Sequence, residues 1–134
     1  MSGVRLPGLV IAINQPRSQV TMSEKNKKKA YFIKKTIRTL KLSNAQVLDK
    51  AITPQTPTPH KFDIITARAL ASAPKIIELS EHLLSKNGKF LFMKGELKKI
   101  KEEVAQLDNN TYSYVIHKKK TKDTNRHILE ITQK

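Results

Sequence analysis

Two stretches decide the fold: Phe62-Asp63-Ile64-Ile65-Thr66-Ala67-Arg68-Ala69-Leu70-Ala71-Ser72 and Gly88-Lys89-Phe90-Leu91-Phe92-Met93-Lys94-Gly95. Residues 62 to 67 and 89 to 94 are short apolar runs, β-branched in the first and aromatic in the second, which reads as two strands. Between them Pro74 opens a segment reaching about Lys86, with Ile76, Ile77, Leu79, Leu83 and Leu84 at helical spacing. Pro suits a helix start because the N–H it lacks would be unpaired there. Asn87-Gly88 is expected to stop this helix, with the glycine in a left-handed conformation. Strand, helix, strand is a βαβ unit, and it implies parallel pairing.

The same alternation extends both ways. Upstream, Leu9 to Ile13 is a short helix entered through Leu6-Pro7-Gly8 and ended by Pro16. Gln19 to Met22 is a strand candidate. Asn26 to Lys41 carries Ala30, Ile33, Ile37 and Leu40 on one helical face, with lysines opposite. Ala45 to Leu48 reads as a second short strand. Residues 53 to 60 hold three prolines, which remove donors and extend their predecessors, so they form a surface loop. Downstream, Glu96 to Leu107 reads as an amphipathic helix and Asn109-Asn110 as a turn. Tyr112 to His117 and His127 to Thr132 are strands without a helix between them, an expected antiparallel hairpin. The fold class is α/β, a mostly parallel sheet closed by that hairpin.

Composition narrows the function. The chain has 134 residues and no Cys, so disulfide scaffolds and Cys-ligated metal centres are excluded. It has no run of about 18 apolar residues, as a membrane-spanning helix requires, and no signal-peptide pattern at its start. The formal net charge is +15. A polyanion, nucleic acid first, is the partner that such a charge attracts. A skew of 21 Lys to 5 Arg arises equally from an AT-rich genome, without any ligand. His60, His82, His117 and His127 share no ligand or triad spacing and read as surface or strand residues.

In an open α/β sheet, ligands sit at the C-terminal strand ends. Glu24 lies there, after the strand that follows a glycine-containing turn. A carboxylate in that place accepts the hydroxyl hydrogens of a ribose; otherwise it is an exposed acid among Lys25 and Lys27 to Lys29.

Residues 2–13, 20–29, 62–72 and 88–95, with Arg126-His127, resemble in order the motifs of the small-subunit ribosomal RNA methyltransferase G family, also called glucose-inhibited division protein B. Asp63-to-Ser72 followed by Met93-Lys94-Gly95 is the most distinctive part. The resemblance implies a Rossmann-like fold of class I, S-adenosylmethionine as cofactor, and methylation of N7 of a guanine in 16S ribosomal RNA. It implies 16S RNA or the small ribosomal subunit as partner; a cytoplasmic protein, a monomer without membrane or metal, is the accompanying expectation. It places Gly3, Leu6 and Gly8 on the cofactor loop, Glu24 at the ribose, and Ala51 and Ile52 near the adenine. Arg68 falls on a strand-end arginine among the cofactor contacts; the alternative is an ion pair with Asp63 or Glu96. Lys94 and Arg126 are candidate RNA contacts, and Lys94 is otherwise a solvated strand-end lysine. N7 carries no proton, so no catalytic acid or base is expected.

Against the family pattern, the chain starts inside the cofactor loop. Residues 1–134 are therefore expected to form a partial methyltransferase domain, without the N-terminal helices and the first strand. Met1 and Arg5 stand where the family has glycines, and Ile52 lies where an acid is usual. Weak cofactor binding is the consequence expected. A truncated inactive remnant, or a basic RNA-binding module of the same lineage, is the alternative to a working enzyme.

Overall fold

The computed structural model describes residues 5–57, 60–68, 71–118 and 126–134, with side chains from residue 8 onward. The chain forms two compact units, Met1–Ile52 and Thr53–Lys134.

The first unit contains α1 (Arg5–Asn14), β1 (Val20–Ser23), α2 (Lys27–Thr39) and β2 (Ala45–Leu48). β1 and β2 pair in parallel, from Val20 opposite Ala45 to Ser23 opposite Leu48, with α2 as the crossover. Asn26 starts α2 by accepting the Lys29 amide on its side-chain oxygen at 3.0 Å. Ala30 and Ile33 are the buried side chains of α2. Its end is a Schellman motif: Leu42 N–H donates to Ile37 O and Lys41 N–H to Arg38 O. Lys41 therefore takes φ 55°, a left-handed position that glycine fills more cheaply. Asn44 is buried, and its amide nitrogen donates to Ala12 O, Gln15 O and Ser18 O at 2.9–3.0 Å. One side chain thereby ties Ala12, near the end of α1, to the turn at Gln15 and Ser18 that follows it.

The second unit contains β3 (Phe62–Arg68), α3 (Ala73–Ser80), a 3₁₀ turn (Glu81–Leu83), β4 (Leu84–Lys94), α4 (Leu97–Val104), β5 (Tyr112–Lys118) and β6 (His127–Gln133). The strand order is β3-β4-β6-β5. β3 and β4 are parallel, and β6 is antiparallel to both β4 and β5. The expected hairpin is present, with Tyr112 opposite Gln133 and Lys118 opposite His127. Alternate residues of the strands (Phe90 and Phe92, Leu129 and Ile131) face Ile77, Ile100 and Val104 of the helices in one core. On residues 53–57 and 60 the expected loop carries neither helix nor strand.

The helix expected to run to about Lys86 ends at Ser80, and the strand expected from Lys89 begins at Leu84. Asn87-Gly88 is therefore inside β4, and no described glycine has a positive φ. The reason is space. A Cβ on Gly88 would lie 2.7 Å from Leu84 Cδ1 and 2.9 Å from the backbone oxygen of Asp63. The pairing is irregular here: Phe62 faces Leu84 while Ile64 faces Lys89, so β4 bulges. Only a residue without a side chain lets the bulge close against β3.

Candidate functional site

In the first unit, the C-terminal ends of β1 and β2 form one edge. Glu24 follows β1 directly, and its N–H donates to Leu48 O at 2.9 Å. Its Oε2 accepts the Asn26 amide at 3.1 Å. Among the described residues Glu24 makes no ion pair, so the lysines around it in sequence do not neutralise it. The segment after β2 is tied to the same edge. Ser23 Oγ donates to Lys50 O at 2.7 Å, and Lys27 Nζ to Asp49 O at 3.1 Å. The Asp49 carboxylate lies 3.5 Å from Lys27 Nζ and 3.4 Å from Lys34 Nζ. Lys27, and then Lys34, hold its carboxyl below the usual range. These bonds hold Asp49 and Lys50 at the edge that carries Glu24, and exposed Ala51 and half-buried Ile52 follow them in the chain.

Gly8 lies in α1. The place its side chain would occupy is filled by Met22 of β1, whose Cγ would be 2.5 Å from an added Cβ. Its bareness serves the packing of α1 on β1. Gly3 lies outside the described residues, and Leu6 is described in its backbone alone.

In the second unit, the C-terminal edge is built from the ends of β3 and β4. Arg68 ends β3 and is exposed. Among the described residues it has no ion-pair partner, so the pairs with Asp63 or Glu96 do not form; Asp63 instead accepts from Ser85 Oγ at 3.1 Å. Arg126 is exposed just before β6.

Lys94, at the end of β4, is not the solvated lysine that one alternative held. Its side chain is 5% exposed and that of Glu103 is 16% exposed, with Nζ 2.7 Å from Glu103 Oε1. The same oxygen accepts the Ala73 amide at 2.5 Å, and Lys94 Nζ also donates to Ala71 O at 3.3 Å. On the other side of this strand end, His127 Nδ1 lies 2.7 Å from Gly95 O, and the ring is buried. A cleft of about 540 Å³ opens here, lined among others by Ala71, Ser72, Lys94, Gly95, Glu96 and Glu103.

Glu103 was not singled out from the sequence. Its signal is its place beside the buried stripe Ile100, Val104 and Leu107 of the amphipathic helix, where an acid requires a partner. Among the described residues no group of three or more His, Asp or Glu could hold a metal ion. No described helix is long and apolar enough to cross a membrane.

A parallel β1–β2 pair joined through α2, and a four-stranded sheet whose β6 runs against both neighbours, define the Rossmann-like fold of class I S-adenosylmethionine-dependent methyltransferases. A Streptococcus mutans protein, described as a methyltransferase and solved in complex with SAH, shares this fold. It has a TM-score of 0.58 at 13% identity and covers 87% of this chain and 76% of that one. The profile of the family "rRNA small subunit methyltransferase G" matches residues 2–130, and the chain belongs to that family. A relative of that name from Xanthomonas campestris is 42% identical over 106 residues, 79% of this chain and 49% of its own length. Another, from Laribacter hongkongensis, is 32% identical over 132 residues, 97% of this chain and 62% of its own. The chain thus spans about half to three-fifths of the length of these relatives.

Proposed function

We propose that the chain is part of an enzyme that transfers a methyl group from S-adenosylmethionine to N7 of a guanine in 16S ribosomal RNA. The observation that carries this reading is the family match over residues 2–130. The donor set supports it: one oxygen of Glu24 is engaged by Asn26, while the other takes no hydrogen bond among the described residues. That oxygen is available to accept from a ribose hydroxyl. Ala51 and Ile52 supply apolar surface for an adenine on the same edge. The exposed guanidinium of Arg68 holds a carboxylate or a phosphate through two parallel N–H bonds. Arg126 contributes charge toward RNA phosphate. Lys94 serves RNA through the shape of the cleft, since its ammonium is committed to Glu103. Gly3 and Leu6 retain the cofactor-loop role that the family assigns.

When bound, the cofactor supplies an electrophilic methyl on a sulfonium. The protein's task is placement, because N7 has a lone pair in the plane of the base and no proton to remove. Holding the two partners in line supplies most of the acceleration such a reaction requires.

The test is methyl transfer from labelled S-adenosylmethionine to small subunits isolated without the modification, alongside calorimetry with S-adenosylhomocysteine. The expected result is label at a single guanine and an affinity lowered about tenfold or more by Glu24→Gln, the loss of about one charged hydrogen bond. Absence of both binding and transfer would overturn the reading.

A further inference from the structure

We infer that Glu103 is a positioning residue, which through Lys94 and the Ala73 amide fixes the turn 71–73 against the end of β4 and so sets the shape of the cleft between them. The inference rests on the methyl-transfer reading for what enters that cleft, a nucleotide of the substrate RNA.

One carboxylate oxygen serves three elements. Glu103 Oε1 receives Lys94 Nζ at 2.7 Å from β4 and Ala73 N at 2.5 Å from the first turn of α3, while Glu103 itself belongs to α4. Lys94 closes the ring by donating to Ala71 O at 3.3 Å. Burying such a pair is costly, and apolar residues of similar size often stabilise a fold as well. The ring lies at the C-terminal strand edge, where open α/β sheets hold ligands. His127 secures the adjoining Gly95 carbonyl from β6, so the strand end is held from two sides. A cleft needs such support, because loosening by about 1 Å costs rate as surely as removing a contacting group.

Two variants separate positioning from mere support. Glu103→Gln keeps an acceptor for the Ala73 amide and leaves Lys94 without a counter-charge. The double variant Lys94→Met/Glu103→Gln removes both charges and keeps that acceptor. Each is examined by thermal unfolding, by methyl transfer to unmodified small subunits, and by hydrogen exchange of the amides of residues 71–73. The expected result for the double variant is wild-type unfolding with faster exchange at 71–73. Its kcat should fall about 10- to 100-fold, the size expected for misplacement, with KM for the subunit changed much less. Should the double variant not fold, Glu103→Gln gives the same exchange and kcat readouts. Wild-type kcat and exchange in a folded variant would overturn the inference. If the wild-type chain transfers no methyl group, the methyl-transfer reading fails, and unchanged exchange at 71–73 in the variant still overturns the role of Glu103.

Discussion

Replacing Tyr112 with Phe tests the packing of the second unit through its response to alkali. Tyr112 is 9% exposed at the start of β5, and its hydroxyl donates to Glu81 Oε2. Burial first, and Glu81 second, push its ionisation from 10.0 up to about 12. Below pH 10 the phenol is neutral in folded and unfolded chains, and its contribution is fully in place. Between pH 10 and 12 the unfolded chain ionises while the folded one resists, so stability falls as pH rises. An ionisation raised by that much corresponds to about 3 kcal/mol lost across the window. The variant lacks this loss but also lacks the hydrogen bond to Glu81, worth about 1 kcal/mol. Urea unfolding followed by circular dichroism from pH 8 to 12 should therefore show Tyr112→Phe less stable by about 1 kcal/mol at pH 8. The curves should cross near pH 11, roughly where half the alkaline loss has accrued. All other groups are common to both proteins, so their contributions cancel in the comparison. Curves that stay parallel to pH 12 would refute the reasoning, because the phenol would then ionise alike in both states.

Further outcomes follow from single contacts. Gly88→Ala forces a Cβ against the backbone of Asp63 and should cost about 2 kcal/mol in urea unfolding. Gly8→Ala meets Cγ and Sδ of buried Met22, so that side chain must take another rotamer, but it meets no backbone and regains about 1 kcal/mol of helix propensity; its net cost should be the smaller, and the reverse order would contradict the packing described. Lys41→Gly relieves a left-handed residue and should raise stability by about 0.5–1 kcal/mol, read as a higher Tm; a lower Tm would deny the strain. Asn44→Ala removes the donor to Ala12 O and Ser18 O, while Gln15 O keeps the Ser18 amide, and should cost about 2 kcal/mol, with amide exchange accelerating around residues 12–20; an unchanged exchange pattern would sink this account.

Features set by neighbours along the chain were legible from residues alone. The strands at 45–48 and 112–117, the loop at 53–57 and the hairpin followed from period and from breakers. The place of Glu24 directly after β1 was legible because a strand end is a local event. Features set by contact across the fold were hidden. Asn87-Gly88 has the composition of a helix stop, and nothing local reveals that β3 lies too close for a side chain there. Asn44 looks like one more polar residue before a strand, since its three acceptors are 26 to 32 residues away in sequence. Lys94 and Glu103 each resemble surface charges among many, and only the meeting of α4 with the end of β4 removes them from water. The cleft they shape was therefore visible in outline, as a strand end, but not in the ring that holds it.

The placing of β6 between β4 and β5 has a consequence for how the protein is born. A ribosome releases the strands in numerical order, so β5 emerges while β6, its one sheet neighbour among the described residues, is still unmade. Until the segment His127–Gln133 leaves the exit tunnel, one border of β4 and the pairing groups of β5 wait unmatched. The four strands of the second unit are then joined in a single event, when β6 arrives between β4 and β5. Factors that shelter nascent chains should be needed most during the interval between those two strands.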